Sequence, residues 1–332
     1  MAADLGKFGK YTLLTGAGWS CNWGGRLASE VWQSLLDHRL IQDNSRLHDL
    51  LLAEPSFEIA FGAIQAAPFT ANDRAAFEQA LVATFLSIDR EISRIDHDPW
   101  INIYGVQKFL FRFSDRRSGD RDTGYLFTLN QDLWPERHLY NEHVANAPPP
   151  VLPGLRARPG QRWFKTNVGP YSDDFITSPV ADPESAQLRG QTNVVKQHGS
   201  FNWRTADASQ LMVVGTEKSN QIAKFPLLTW YADIFRRVLS SGGMRLMIIG
   251  YGFADEHINA TIADAITNHG LRVFIWDIAP DLRARVLAAP HGPVIWKSLI
   301  STASRQFIQV FPSNQAETEE YRRICTSFFG AN

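Results

Sequence analysis

The sequence contains several polar segments whose residue types and spacing could do chemistry. The first is Gly16-Ala17-Gly18-Trp19-Ser20, which follows an apolar run and precedes a helix-like segment. Glycines at a strand-to-helix turn let the backbone approach a pyrophosphate, whose charge is favoured at a helix N-terminus. The third glycine of the dinucleotide fingerprint is missing, because Cys21 occupies its position. A tight turn without a ligand would look the same, so this segment alone leaves both interpretations open.

Two more segments place polar side chains where predicted strands end. Asn130 and Asp132 follow the apolar run at residues 125–129, and His198 follows the run at residues 194–196. Ligands of open α/β sheets bind outside the carboxyl ends of the strands, which makes these side chains candidates for ligand contact. The alternatives are a turn initiated by Asn or Asp, and a histidine with a purely structural role.

A second glycine turn and one further acid complete the set. Gly250-Tyr251-Gly252 follows an apolar run and precedes a predicted helix, for which Asp255 is favoured as the N-cap. Asp277 directly follows another apolar run, at residues 272–276. An acid at a strand tip commonly binds ribose hydroxyl groups in dinucleotide folds. Helix capping ahead of Pro280 is the alternative function of Asp277.

Short apolar runs that alternate with helix-like segments must position these side chains. The runs predict strands at residues 11–14, 125–129, 194–196, 211–215, 245–250, 272–276 and 307–311. Helices are predicted at residues 27–40, 75–92, 231–240, 256–269, 280–288 and 317–328. This alternation predicts an α/β fold: a Rossmann-like, doubly wound, mainly parallel sheet with a helical insertion.

The same pattern divides the chain into two parts. Residues 1–43 and 124–332 are predicted to form the Rossmann-type domain, and residues 44–123 a mostly helical insertion that could cover the cleft. Residues 113–122 and 148–165 are predicted to be surface loops, because charged residues, glycine or proline interrupt the apolar pattern there. Since the carboxyl ends of parallel strands meet at one edge, Gly16 and Asp277 are expected at the same edge of the sheet.

The composition argues against several classes of protein. The 33 lysines and arginines balance 34 acids, giving a net charge of -1, so sequence-specific nucleic-acid binding is not expected. The two cysteines, Cys21 and Cys325, cannot form a four-cysteine zinc site and do not suggest a secreted disulfide scaffold. We recognise neither a signal peptide nor a membrane span. We therefore expect a cytoplasmic protein without a metal.

In this order, the segments resemble those of the sirtuin superfamily: GAGxS, TxNxD, HG and a glycine turn after a late strand. The stretches GAGWSCNWGGRLASEVW, TLNQD, KQHGSFNW and IIGYGFADEHIN are more specifically similar to those of bacterial sirtuin-like antiphage effectors. The resemblance spans residues 11–277, apart from the helical insertion and residues 148–189. It implies that the Rossmann-type domain binds NAD and is catalytic.

The resemblance also implies a role for each candidate residue. Asn130 would orient the nicotinamide ribose and the attacking water, His198 would be the general base, and Asp132 would help to hold the nicotinamide end. The residues implied to hold the pyrophosphate region are Gly16, Ala17, Gly18 and Ser20. The residues implied to lie on the adenosine side are Gly250 and Tyr251, with Asp277 near the adenosine ribose. NAD would be the substrate, and no metal would be required.

The chain departs from the protein-deacylating sirtuins at two places. Those enzymes carry a four-cysteine zinc module beside the acyl-peptide groove, which two cysteines cannot supply. They also carry a GIPDFR-like sequence after the first turn, where this chain has Cys21-Asn22-Trp23-Gly24-Gly25-Arg26. The defence-type relatives instead hydrolyse NAD to nicotinamide and ADP-ribose, which is the activity the resemblance implies here. The alternatives are an NAD-dependent deacylase or ADP-ribosyltransferase, and a non-catalytic sensor of NAD or ADP-ribose.

The resemblance further implies partners. The defence-type relatives are effectors of abortive infection that stay inactive until a partner binds or an oligomer forms. They work with Argonaute proteins, with hexameric DNA-translocase-type ATPases or with nucleotide-sensing proteins. We therefore expect a homo-oligomer or a hetero-complex with a sensor, in which the helical insertion helps to regulate access to the cleft.

Overall fold

A parallel sheet forms the centre of the chain. A computed structural model describes residues 4–54, 56–94, 100–114, 123–140, 144, 147–156 and 170–330. The strands of these residues are β1 (Tyr11–Thr15), β2 (Gly124–Thr128), β3 (Pro150–Val151), β4 (Thr192–Lys196), β5 (Gly199–Arg204), β6 (Gln210–Met212), β7 (Arg245–Ile249), β8 (Arg272–Trp276) and β9 (Leu299–Ala303). One sheet contains seven of them in the order β3-β4-β2-β1-β7-β8-β9, and all neighbours in it are parallel. The predicted Rossmann-like α/β fold is confirmed.

Helices connect and cover these strands. In the described residues they are α1 (Ala17–Ser20), α2 (Ala28–Leu36), α3 (Arg39–Gln42), α4 (Ser45–Ala53), α5 (Phe57–Ala63), α6 (Ala71–Ile92), α7 (Ile103–Phe111), α8 (Trp134–His138), α9 (Lys218–Ile222), α10 (Pro226–Leu239), α11 (Glu256–His269), α12 (Leu282–Ala288), α13 (Gly292–Lys297), α14 (Phe307–Val310) and α15 (Glu319–Phe329). None of these helices combines the length and the apolar character that a membrane crossing requires.

The order of the strands prepares a ligand site. Every residue of β2 and β4 is buried, as expected for parallel strands that are covered on both faces. β1 lies between β2 and β7. The chain therefore adds strands β2 to β4 on one side of β1, and later adds strands β7 to β9 on the other side. A crevice forms at such a switch point, outside the carboxyl ends of the strands. The segments that follow β1, β2, β4, β7 and β8 therefore converge there.

Helices α4 to α7 lie within the predicted insertion at residues 44–123. The longest, α6, begins with a capping box in which Thr70 and Asp73 each accept a hydrogen bond from the backbone N–H of the other. Towards its other end, buried Asp89 pairs with buried Arg137 of α8, whose Nε lies 2.8 Å from Asp89 Oδ1. The insertion is thus held against the segment that directly follows Asn130.

One of the predicted strands is wrong, and another is correct only in part. Phe307–Val310 forms helix α14 instead of a strand, because the buried side chains Phe307, Val310 and Phe311 recur at spacings that a helix places on one face. The run at residues 211–215 does not join the main sheet. Gln210–Met212 instead forms β6, which pairs antiparallel with β5. Gly199, with a φ of 71°, starts this hairpin directly after His198.

Other differences concern edges and boundaries. β9 was not predicted, because only Ala303 of this edge strand is buried and no apolar run marks it. The helix predicted at residues 27–40 is divided into α2 and α3. The predicted loops lie partly outside the described residues, at 115–122 and 157–165, and Pro150–Val151 forms β3. The remaining predicted strands and helices agree in type with the structure.

Candidate active site

A cavity of about 750 Å³ opens at the carboxyl edge of the sheet, a volume typical of ligand sites. Of the candidate residues, those that line it are Gly16, Ala17, Gly18, Asn130, Asp132, His198, Gly250, Tyr251 and Asp277. Ser20 is buried behind this wall, against the core. Gly16 and Asp277 therefore lie at the same edge of one parallel sheet, as expected because the carboxyl ends of parallel strands meet at one edge.

The two glycine turns are packed backbone to backbone. The N–H groups of Gly16 and Gly18 donate to the carbonyl oxygens of Ile249 and Gly250, each over 3.0 Å. Gly250 has a φ of 61°, and a Cβ atom there would lie 2.5 Å from the carbonyl carbon of Gly18. The contact between the turns therefore requires these glycines. It also occupies two of the amide hydrogens that the sequence suggested for a pyrophosphate.

Ser20 acts on the site through its neighbours. Asn130 Nδ2 donates to the backbone oxygen of Gly16 over 3.0 Å and to Ser20 Oγ over 2.8 Å. A hydrogen bond from Ser20 to the Asp132 carboxylate lowers the pKa of that acid, whereas burial raises it more strongly. The Ser20 hydroxyl thus accepts from Asn130, which fixes the orientation of that amide, and it favours the charged form of Asp132. Both N–H donors of Asn130 are used, so its amide oxygen is the atom left to meet a ligand.

Lys196 carries a buried amino group beneath the site. Its Nζ donates to the backbone oxygen of Asp132 over 2.5 Å, to Glu136 Oε1 over 2.9 Å and to Ser200 Oγ over 2.8 Å. Burial raises the pKa of Glu136, and the ammonium group of Lys196 acts against that rise. Buried charges of this kind stabilise a structure only when each is paired. Lys196 therefore fixes the loop that carries Asp132.

His198 follows β4 and is only 2% exposed. Its Nε2 lies 3.2 Å from Nε2 of His257, in the first turn of α11. Burial lowers the pKa of His198 to about 3, and the carboxylate of Asp255 acts in the opposite direction. The imidazole is therefore neutral at pH 7 and has a lone pair on one of its nitrogens.

Tyr251 and Asp277 line the cavity and also support the turns they belong to. The Tyr251 hydroxyl accepts from the backbone N–H of Asp255 and lies 3.1 Å from Asn259 Oδ1. Asp277 Oδ1 accepts from the backbone N–H of Ala279 over 2.8 Å, and Oδ2 accepts from Arg285 over 2.6 Å. Asp277 thus closes a turn ahead of α12, whose N-cap is Asp281, so the helix-capping interpretation is wrong, and the carboxylate borders the cavity beside a guanidinium group.

Asp255 occupies the N-cap position of α11, but its side chain makes no capping hydrogen bond. Asp255 Oδ1 lies 2.7 Å from Nζ of Lys218, which lies 2.7 Å from Glu58 Oε1. The interpretation of Asp255 as an ordinary N-cap is therefore wrong for its side chain. All three of these charged residues line the cavity.

Sequence reasoning missed several residues of this site. His257 stands two positions after Asp255 in the motif ADEHIN, and that proximity could have indicated it. Glu58 and Lys218 come from distant segments with no local signal, and only the fold brings them together. Cys21 lines the cavity, but burial raises the pKa of its thiol to about 12, which excludes a thiolate nucleophile at neutral pH.

A comparison with protein families matches the part of the chain that contributes His198, Tyr251 and Asp277 to this site. Residues 161–290 match the family model described as a SIR2-like domain. The match includes β4, β7 and β8 with His198, Tyr251 and Asp277. No curated protein matches the chain.

Proposed function

We propose that this chain, a sirtuin-like protein, hydrolyses NAD to nicotinamide and ADP-ribose. The observation that carries the proposal is the position of Asn130 and His198. They follow the neighbouring strands β2 and β4, and both line the cavity that also contains the first glycine turn and Asp277. A site that only binds NAD needs neither a buried amide fixed through both N–H groups nor a neutral imidazole in the same cavity.

The reaction determines what these side chains must do. The bond between C1′ of the ribose and N1 of nicotinamide breaks, and its electron pair stays on nicotinamide, which leaves as a neutral base. Positive charge then develops on the ribose, and groups with partial negative charge stabilise it. The amide oxygen of Asn130 is such a group, and it can also orient the attacking water. The water proton must go to a base, and His198 is a neutral base that lines the same cavity.

The rest of the cavity suits the other half of the dinucleotide. Asp277 borders it at the tip of β8, where Rossmann-type folds bind the adenosine ribose, and its partner Arg285 of α12 borders it as well. The pyrophosphate would pass the two glycine turns. The N–H groups of Gly16 and Gly18 already donate to the other turn. We therefore propose that these glycines let the backbone approach the pyrophosphate closely, and that they do not donate hydrogen bonds to it. Arg26 also lines the cavity and carries a positive charge that could meet the phosphates.

The test is to incubate the purified chain with NAD at high protein concentration and to quantify nicotinamide and ADP-ribose by chromatography. We expect both products in equal amounts, with no need for an acetylated peptide. His198→Ala should lower the rate by about 100-fold or more, the usual contribution of a positioned general base. His269→Ala, on the exposed end of α11, is the matched control. Nicotinamide release that requires an acetylated peptide would instead identify a deacylase.

The biological role is a further part of the proposal. Unregulated hydrolysis would deplete the NAD of the host cell. We therefore propose that this chain is an effector of antiphage defence, which a sensor partner or the formation of an oligomer activates. The resemblance to defence-type sirtuin-like effectors supports this role. Purifying the tagged chain from its native host, and measuring the mass of the complex and its activity, tests the idea. A monomer that is fully active without any activator would contradict it.

A further inference from the structure

The imidazoles of His198 and His257 face each other through the same atom. The two Nε2 atoms are 3.2 Å apart, which is hydrogen-bond distance, and the ring centroids are 5.3 Å apart. Two neutral imidazoles at this distance must have one N–H donor and one lone pair between them. One hydrogen atom is therefore shared by the two rings. His198 lines the cavity, and its hydrogen bond to His257 connects it to α11.

A chain of three charged side chains lies next to this pair of histidines. Asp255 precedes α11, Lys218 belongs to α9 and Glu58 to α5, and they form a chain of ion pairs with distances of 2.7 Å. Asp255 favours a positive charge on either histidine, whereas Lys218 disfavours it, and a positive charge on His257 lowers the pKa of His198, so the pair can hold only one added proton. Burial lowers the pKa of both rings. One added proton on the pair is thus opposed by burial and Lys218 and is supported by Asp255.

A metal ion is the alternative occupant of this cluster. Ligand atoms of His198, Asp255 and His257 lie within 4.8 Å of one another, as in a site with two histidines and one carboxylate. The Nζ atom of Lys218 is already 2.7 Å from Asp255 Oδ1, however, and offsets part of the charge of that carboxylate. A divalent cation would have to approach this ammonium group closely, and like charges at such distances repel strongly. The cluster is better suited to one proton than to a metal.

We propose that His257 is a positioning residue for NAD hydrolysis, which holds the ring of His198 and shares the proton that His198 accepts. The proposal rests on the proposed function. The two histidines then act as one proton acceptor, in which an N–H⁺···N hydrogen bond spreads the charge between the rings and Asp255 stabilises it.

The proton balance of the step is as follows. The water oxygen forms a bond to C1′ while the C1′–N1 bond breaks, and the electron pair of that bond leaves with nicotinamide. One water proton moves to Nδ1 of His198, the ring nitrogen that does not face His257, while Nε2–H of His198 donates to Nε2 of His257. The second water proton remains as the new hydroxyl hydrogen of ADP-ribose. The pair later releases its extra proton to solvent, so one proton is produced per NAD. A neutral His257 accepts a hydrogen bond from the protonated ring of His198, so we expect a buried His198 without this partner to be a weaker proton acceptor.

His257→Gln tests this most sharply, because an amide can keep a hydrogen bond to His198 but cannot take a proton. We expect kcat to fall by about 10- to 100-fold, part of the contribution of a positioned base, with KM nearly unchanged. The acid limb of the kcat profile should move to lower pH, because the remaining base holds its proton more weakly. His269→Gln on the same helix is the control. A variant with the kcat and the pH profile of the wild type would overturn the proposal.

A second measurement does not depend on turnover. The ring signals of His198 and His257 can be followed by ¹⁵N NMR during a pH titration of the protein alone. In the wild type we expect both rings to respond together, and in His257→Gln we expect His198 to respond at lower pH. Unchanged His198 titration would overturn the shared proton even if NAD hydrolysis is established. Conversely, coupled titration in a protein that never cleaves NAD would reject the proposed function and the catalytic use of the pair.

Zinc binding completes the experiment. Calorimetric titration with Zn²⁺ alone should show no stoichiometric binding to the wild-type protein. One equivalent bound by the wild type and lost in His257→Gln would overturn the proton assignment in favour of a metal site.

Discussion

Asn130 Nδ2 donates a hydrogen bond to the backbone oxygen of Gly16 over 3.0 Å, and this bond joins the carboxyl ends of β2 and β1. The partners come from opposite sides of the helical insertion in the sequence. The bond fixes the amide plane, because the second N–H of Asn130 is held by Ser20. The amide oxygen is therefore pre-oriented before any ligand enters, which is the condition for electrostatic stabilisation without reorganisation.

Replacing Asn130 by alanine removes this oriented oxygen. We expect kcat for NAD hydrolysis to fall by about 100-fold, the usual loss when one pre-oriented polar group is removed from a reaction site. KM should change little, because the other walls of the cavity remain. Steady-state kinetics measure both constants, and Asn268→Ala on the exposed surface of α11 is the control. Equal losses in NAD affinity and melting temperature with normal kcat would indicate a structural asparagine.

Gly250 offers a test of the contact between the two glycine turns. Gly250→Ala should lower the free energy of unfolding by at least about 1–2 kcal/mol, the cost of a left-handed conformation for a residue with a Cβ atom. The new methyl group would also collide with the backbone of Gly18. Denaturant unfolding measures the change. Gly252→Ala in the same turn is the control, because a Cβ atom there meets nothing within 4 Å of the described residues.

The sequence was sufficient to predict the strands that carry the site, and the reason is physical. Buried parallel strands are short apolar runs, and β2, β4, β7 and β8 each end in a polar or glycine segment. Because the carboxyl ends of parallel strands meet at one edge of the sheet, Asn130, His198 and Asp277 are expected at that edge. The sequence could not show that Gly16 and Gly18 pack against Gly250, because contact between two distant turns leaves no local pattern.

The same limit applies to the charged residues. Asp255 was interpreted as an N-cap from its position before α11, but the fold places Lys218 within 2.7 Å of its carboxylate. Such a pairing depends on how α9 and α11 meet in space. Helix α14 was missed for another reason, because a run of five residues is too short to distinguish the two periodicities.

Asp277 should determine the choice between NAD and NADP. A carboxylate at this strand tip accepts hydrogen bonds from the adenosine ribose and repels a 2′-phosphate. We expect Asp277→Asn to raise KM for NAD by about 10-fold, since a hydrogen bond to a charged group is worth about 1.5–3 kcal/mol. The same variant frees Arg285 to bind a phosphate, so the preference for NAD over NADP should decrease. Asp281→Asn, which is exposed nearby, should keep both values, and an unchanged ratio in Asp277→Asn would reject the assignment.

His138 should make the fold sensitive to acid. It is 1% exposed in α8, and its Nε2 lies 2.8 Å from the backbone oxygen of Ile92 at the end of α6. Burial lowers its pKa to about 3, and the adjacent charge of Arg137 acts in the same direction. The unfolded chain has the ordinary histidine pKa of about 6.5. Between these values the unfolded state binds one more proton, so the contribution of His138 is complete above about pH 6.5 and is lost as the pH falls towards 3.

His138→Gln should remove this dependence, because glutamine can still donate to Ile92 but does not titrate. The free energy of unfolding of the wild type, measured by urea unfolding from pH 7 to pH 4, should fall more steeply than that of the variant. The difference in slope should be about 1.4 kcal/mol per pH unit, the value for one proton. His198 remains in both proteins, so the variant keeps part of the acid sensitivity. His269→Gln, at an exposed position of α11, is the control for the loss of a histidine. Parallel curves for His138→Gln and the wild type would mean that the pKa of His138 is the same in the folded and unfolded states, despite its burial between α6 and α8.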